Sequence, residues 1–291
     1  MGTNSPDNQY MNIITLPSGA LLDFSGPPLV MAIVNCTPDS FYAPSRNATV
    51  QGAVERALSA VEDGAAIIDF GGESTRPGSA YVSEEEELAR IIPVIEAFRR
   101  QSATPLSVDT RKGAVARAVL DAGADIINDI SALEDDPAMG RICAEYKAAV
   151  VLMHKKGAPD TMQTRPAYED VVTEVGAYLR DAVERALGWG IPAEGIILDP
   201  GVGFGKRLED NLDLINRLAE IRVQGYPVLA GLSRKTFVGE LTGRDAPDRL
   251  AGTLAAEAVA IMNGADIIRV HDVKETVDMV KVMHGIRSRQ R

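Results

Sequence analysis

The sequence predicts a closed (β/α)8 barrel forming a single α/β domain, and three observations lead there. Short apolar runs of strand length alternate with longer stretches of helical period along 291 residues, the pattern of repeated βα units around a parallel sheet. Eight such pairs are present, whereas a doubly wound open sheet usually holds about five or six strands. A hydrophobic content of 45% is enough, at this length, to bury roughly 75% of the unfolded surface without disulfides or structural metal.

Taken in order, residues 1–11 are polar and are expected to form a disordered tail, which leaves 12–291 as the barrel domain. Segment 12–24 alternates around Pro17-Ser18-Gly19 and reads as a β-hairpin closing the barrel bottom. Strands are expected at 29–34, 66–70, 106–109, 125–129, 149–153, 195–199, 227–230 and 266–270. Helices are expected at 50–63, 83–100, 112–122, 137–147, 168–189, 210–221, 247–263 and 273–287. A weak internal repeat marks three of the strand starts: DGAAIID (63–69), AGADIIN (122–128) and NGADIIR (263–269) align without gaps. In each, a helix stops at a glycine able to take the left-handed C′ conformation, and a buried strand follows.

The formal net charge of −11 opposes attraction to a phosphate backbone or an anionic membrane, so neither is expected as a partner. Two cysteines, Cys36 and Cys143, are too few for a disulfide framework. The start of the chain has no basic or apolar signal region, and no apolar run approaches the roughly 18 residues of a membrane span. A cytoplasmic protein is expected.

Chemistry gathers at the ends of the strands. A parallel strand covered on both faces is nearly all apolar, yet Asn35, Asp69, Asp109, Asn128, Asp199 and Arg269 are polar and fall where barrel active sites lie. Asp109, Asn128 and Asp199 offer acceptors suited to a flat heterocycle rich in N–H donors. Arg269, His271, Lys235 and Arg76 are cations in strand-end loops of an acidic chain and point to an anionic ligand such as phosphate or pyrophosphate. The loop GGESTRPG (71–78) combines close backbone approach with the donors of Thr75 and Arg76, and Asn35 offers an oxygen to a hard cation such as Mg2+.

Other signals fail. The stretch DPGVGFGK (199–206) has neither Walker A nor dinucleotide-fingerprint spacing. His154, His271 and His284 lack zinc-ligand spacing, and His154 is read as no more than a pocket liner. Ser74 and Ser233 have no evident base partner. Glu84 to Glu87 read as the acidic first turn of a helix capped by Ser83.

Seven strand-end motifs in order, NCTPDSF (35–41), GGESTRPG (71–78), SVDT (107–110), NDIS (128–131), DPGVGFGK (199–206), SRKTF (233–237) and RVHD (269–272), make the chain resemble the dihydropteroate synthase family from about residue 12 to residue 287. The resemblance implies a TIM barrel, usually homodimeric, that joins p-aminobenzoate to 6-hydroxymethyl-7,8-dihydropterin pyrophosphate with Mg2+ and is a sulfonamide target. It implies that Asp109, Asn128, Asp199 and Lys235 hold the pterin, with Met153, Phe204 and Gly231 near its faces. Asn35, Thr75, Arg76, Arg269 and His271 would then handle pyrophosphate and its metal, and Phe41, Pro77 and Thr236 would line the aminobenzoate pocket. Lys235, Arg269, His271 and Asp109 carry the catalytic expectation, which is electrostatic and positional.

One departure stands out. Phe41 is followed by Tyr42-Ala43-Pro44-Ser45 where the family commonly has Ser-Asp-Gly-Gly, which removes an acid and stiffens the segment. Two rival readings share the pterin pocket: a pterin-dependent methyltransferase, which has no need of the full cation set, and a non-catalytic pterin-binding paralogue, supported only by the altered first loop. A sugar-phosphate barrel enzyme would explain the cations but not the acceptor cluster. On this reading Arg269→Ala is expected to weaken binding of the pyrophosphate substrate far more than binding of pterin.

Overall fold

The computed structural model describes residues 12–36, 46–73, 81–157, 166–222 and 225–289. The chain enters as an antiparallel hairpin, β1 (Ile13–Thr15) and β2 (Leu21–Asp23), then alternates strand and helix. In order follow β3 (Leu29–Asn35), α1 (Arg46–Glu62), β4 (Ile67–Gly71), α2 (Glu84–Arg99), β5 (Leu106–Asp109), α3 (Gly113–Asp121), β6 (Ile126–Asp129), α4 (Met139–Tyr146) and β7 (Ala149–Met153). The second half runs α5 (Val171–Gly188), β8 (Ile196–Asp199), α6 (Leu208–Asn216), α7 (Leu218–Ile221), β9 (Leu229–Ala230), α8 (Thr236–Thr242), α9 (Leu250–Met262), β10 (Ile267–Val270) and α10 (Val273–Arg287). Strands β3 to β10 pair in parallel in the order β8-β7-β6-β5-β4-β3-β10-β9, and a bridge between Leu198 and Val228 joins the two ends into a barrel.

Three elements differ from the sequence expectation. The helix expected at 210–221 breaks at Arg217 into α6 and α7. The strand expected at 227–230 shortens to two residues, because Pro227 has no N–H to give; only its carbonyl joins the ladder, accepting from Leu198 at 2.9 Å. Helix α8 was not expected: its seven residues are stopped by Gly243 at φ +70, within a loop that carries no extended apolar period.

The repeat has a structural meaning. Gly64, Gly123 and Gly264 all sit near φ +104, the left-handed turn out of a helix. In two copies the aspartate that follows is a strand-start clamp. Asp125 accepts from the Leu106 N–H (3.0 Å) and from Arg99 (2.6 Å), and Asp266 accepts from the Val228 N–H (2.8 Å) and from Arg222. The third copy has Ala66 there and lacks the clamp.

Strand alternation then sorts the barrel lining. Val30, Ala32, Val34, Ile68 and Phe70 face outward into the core beneath the helices. Met31, Ile67, Ile126, Ala149, Ile197, Leu229 and Ile267 face inward at the N-terminal ends, and Ile14, Leu16 and Leu22 of the hairpin plug them. The turn of the hairpin is held by Ser18, whose N–H donates to Asp125 at 3.2 Å. Two residues further along four of these strands, the same inward side meets Asp69, Asn128, Asp199 and Arg269. The closed bottom thereby leaves the C-terminal face as the open end.

One buried carboxyl outside that face gives a stability prediction. Glu257 on α9 is fully buried, accepts from the Thr276 hydroxyl at 3.1 Å, and is pushed up to about 8 by burial. It is therefore neutral when folded at pH 7 but ionised when unfolded, so stability falls as pH rises from its ordinary value of 4.5 towards 8. Glu257→Gln is expected to flatten that slope and to raise the melting temperature at pH 8 while leaving it nearly unchanged at pH 4. Thermal melts of the two proteins at both pH values check it.

Candidate active site

Register turns the strand tips into a ring. Asn35 is level with Gly71, Gly71 with Asp109, and Asp109 with Asn128; Met153 is level with Asp199 on the far side. One inward position lower, Asp69 is level with Ile33. Oxygen Oδ2 of the fully buried Asp69 accepts from Arg269 Nε at 2.7 Å and from Asn128 Nδ2 at 3.3 Å. Arg269 also donates to Asp109 Oδ2 at 3.0 Å. Arg269 thus pairs with two carboxylates beneath the site while also lining the cavity above them.

Burial pushes the Asp109 carboxyl up to about 7, although Arg269 draws it down; Asp69 pushes the same way as burial. The second oxygens of Asp109 and Asp69 are buried with no partner among the described residues. A buried acceptor without a donor is costly, and a ligand N–H would remove that cost. Asp199 is also raised by burial, while the Gly201 N–H at 2.7 Å and the charges of Lys235 and Arg269 oppose the shift.

Lys235 follows β9, the neighbour of the strand that ends in Asp199. Its amine donates to the Val202 carbonyl at 2.7 Å and stands 4.1 Å from the centroid of the Phe204 ring. Both partners belong to the glycine loop that follows β8, which folds onto the neighbouring loop by backbone contact. A Cβ on Gly201 would meet the His154 carbonyl at 1.8 Å, and one on Gly205 would meet the Lys156 carbonyl at 2.3 Å. Lys206 pins the loop from below, donating to Gly201 O (2.8 Å) and Phe204 O (3.1 Å) at 2.9 Å from His154 Nδ1. Burial lowers its amine to about 7. This lysine is committed to the fold and is not a phosphate ligand, in keeping with the failed Walker spacing. His154 is corrected from pocket liner to loop support: it packs edge-on against Tyr178, and burial holds it far below the usual imidazole range.

Ser233 also needs correction, since it does have a base within reach. Its hydroxyl oxygen accepts from the His271 N–H at 3.2 Å and lies 3.0 Å from His271 Nδ1. The two contacts orient the His271 ring; in the tautomer in which the hydroxyl donates to Nδ1, the imidazole proton sits on Nε2 as a donor suited to an anion.

These groups surround one cavity of about 550 Å3, and every described residue of the predicted pterin and anion sets lines it, together with Thr236. Phe41, Thr75, Arg76, Pro77 and Ala43 lie outside the described residues. Cys36, next to the first of those loops, is buried, and burial pushes its thiol up to about 12, so it is no nucleophile. Among the cavity residues to which the sequence reading gave no role are Ile33, Ile130, Glu73, Ala246, Pro247 and Arg249. Glu73 accepts from Lys112 (2.7 Å) and from the Val82 N–H (3.1 Å), which ties the two ends of the glycine-rich loop. Ser83 does cap α2, but Glu87 turns inward and joins the same Lys112.

Among the described residues no cluster of three or more His, Cys, Asp or Glu could cage a metal. Asn35 Oδ1 lies 3.8 Å from the point where a Cβ on Gly71 would stand, with Asp109 Cβ 3.9 Å from the same point. One neutral oxygen beside Asp109 would suit a hydrated hard cation that takes its other ligands from elsewhere.

The family of pterin binding enzymes matches residues 31–271. Dihydropteroate synthase of Escherichia coli strain K12 is 47% identical over 270 residues, 93% of this chain and 95% of that protein. The chain belongs to the dihydropteroate synthase family. The Xanthomonas albilineans synthase solved with 4-aminobenzoic acid superposes at a TM-score of 0.88 with 44% identity, covering 95% of this chain and 98% of that one. The same organism's synthase in complex with 7,8-dihydropteroate gives a TM-score of 0.85 with 42% identity, covering 95% and 99%.

The glycine loop of this synthase fold yields a stability prediction. Gly201→Ala forces an L residue to φ +66 and drives a methyl into a fixed carbonyl. A loss of roughly 2–4 kcal/mol is expected in denaturant titration. Wild-type stability would show that the loop has room to move away from β7.

Proposed function

We propose that this chain joins p-aminobenzoate to (7,8-dihydropterin-6-yl)methyl diphosphate, giving 7,8-dihydropteroate and pyrophosphate. The observation that carries the reading is one cavity holding both the unpartnered Asp109 oxygen, with Asp199 and Asn128 beside it, and the cations Lys235, Arg269 and His271. The relatives solved with 4-aminobenzoic acid and with 7,8-dihydropteroate support the two halves of the substrate pair. A methyltransferase would not require the cation set.

Asp109, Asn128 and Asp199 accept the N–H groups of the pterin and fix its plane, with Met153 and Phe204 against its faces. The bond between the methylene carbon and the diphosphate oxygen breaks with its electron pair leaving on diphosphate. Positive charge then spreads into the electron-rich pterin, where the carboxylates stabilise it. Lys235 holds the pterin end, while His271 Nε2–H answers the negative charge growing on the leaving group. The arylamine nitrogen attacks the methylene carbon and gives up a proton. Bound Mg2+, with Asn35 among its ligands, would supply further charge neutralisation on the diphosphate. Positioning and charge carry this reaction, so no protein nucleophile is needed.

The assembly proposed is a homodimer through α9 and α10. Val259, Met262, Val282 and Ile286 expose apolar surface on these two adjacent helices, a face that a second copy would cover. Among the described residues no helix is long and apolar enough to cross a membrane; a cytoplasmic location is proposed. The test is pyrophosphate release by purified protein with the pterin diphosphate and Mg2+, with and without p-aminobenzoate, alongside mass detection of dihydropteroate. Release coupled to product is expected. Tight pterin binding with no product would favour the non-catalytic paralogue, with Ala43→Asp as the reversion to try.

A further inference from the structure

Two residues after β9 are tied rung by rung to two residues after β10. Ser233 Oγ holds the N–H and Nδ1 of His271, as described above. Next to it, Arg234 adopts a left-handed backbone at φ +57, which a non-glycine residue keeps only where its surroundings hold it. Its N–H donates to Thr253 Oγ1 at 3.0 Å, and its carbonyl accepts from Arg249 at 3.0 Å. Its guanidinium forks onto Asp272, with Nε 2.9 Å from Oδ2 and the second nitrogen on Oδ1. Asp272 stands at the start of α10 without a side-chain capping bond and immediately follows His271; Arg234 immediately precedes Lys235. The fork is therefore a direct tie between the loop carrying the amine and the loop carrying the imidazole.

We infer that the Arg234–Asp272 pair is a positioning clamp that fixes the separation between Lys235 and His271, and so between the pterin and diphosphate ends of one bound substrate. The inference rests on the function proposed above. Two joined fragments gain from binding together only when their subsites keep the matching distance, whereas each fragment alone tolerates a shift. Loosening the clamp should therefore harm the joined ligand more than its parts.

The test is calorimetric titration of wild type, Asp272→Asn and Arg234→Gly with 6-hydroxymethylpterin, with inorganic pyrophosphate plus Mg2+, and with the joined dihydropterin diphosphate. Glycine takes φ +57 without strain, so Arg234→Gly removes the fork while sparing the fold, and thermal melts confirm it. Each fragment is expected to stay within about threefold of wild type, while the joined ligand weakens at least about tenfold. Arg234→Lys, a point charge without the fork, is expected to recover only part of that loss. A joined ligand weakened no more than the product of the fragment losses overturns the clamp and leaves the function standing. Wild type that binds the joined ligand no better than pterin alone overturns the function, and the clamp with it.

Discussion

Alanine at Lys235 or at Asp199 is expected to abolish measurable turnover, each lowering kcat on the order of 10²–10³-fold or more, while circular dichroism and melting stay close to wild type. The reason differs at the two positions. The Lys235 amine donates to the Val202 carbonyl and stands over the Phe204 ring at the cavity wall, so its loss takes a cation from the pterin pocket but little packing. Asp199 is a buried acid whose carboxyl is raised by burial, and the fold gives up stability to keep it. Removing it relieves that burial cost but leaves the Gly201 N–H without its acceptor, so stability changes little while the pterin loses an acceptor. Steady-state rates for both variants decide the matter, and wild-type-like activity in either would remove the proposed pterin pocket.

Arg269→Ala is expected to be worse for the fold than either. The sequence grouped Arg269 with the anion ligands, so its loss was expected to fall mainly on pyrophosphate binding. In the structure its guanidinium is shared by Asp69, fully buried, and Asp109, 5% exposed. Deleting it leaves two buried carboxyls facing each other, a change that typically costs roughly 3–5 kcal/mol. Pterin and pyrophosphate binding should then fall together, because Asp109 loses its orientation as the anion end loses its charge. The stability deficit should be smaller at low pH, because without Arg269, which draws the Asp109 carboxyl down, that carboxyl takes up its proton at a higher pH than in wild type. Arg269→Lys keeps the charge without the two-armed geometry and is expected to restore more stability than binding. Denaturant titration at pH 5.5 and 8, with titrations of both ligands, measures all three effects.

The barrel was legible because its signals are local. Apolar runs, glycine stops and the repeated G-A-x-I-I start each act within a few residues, and they placed seven of the eight barrel strands within a residue at each end. Helix α8 and the break at Arg217 were not legible, since a seven-residue helix is carried by its loop and by Gly243 and not by an amphipathic period. The strand tips were visible as polar residues where apolar ones belong. Their partners were not. Arg269 to Asp69 spans 200 positions and Ser233 to His271 spans 38, and nothing in local pattern reports a contact at that range. Glu87 shows the same limit from the other side: four glutamates in a first turn look alike, yet one is turned inward by Lys112 on another helix cap.

The most direct test of the whole account is a crystal structure of this protein with 6-hydroxymethylpterin bound. The account predicts the pterin in the cavity at the C-terminal end of the barrel, its N–H edge on Asp109 Oδ1, Asn128 and Asp199, and Lys235 beside the ring. A pterin seated elsewhere, for example in the cavity of about 390 Å3 between Phe24 and α10, with Asp109 Oδ1 still unpartnered, would contradict it.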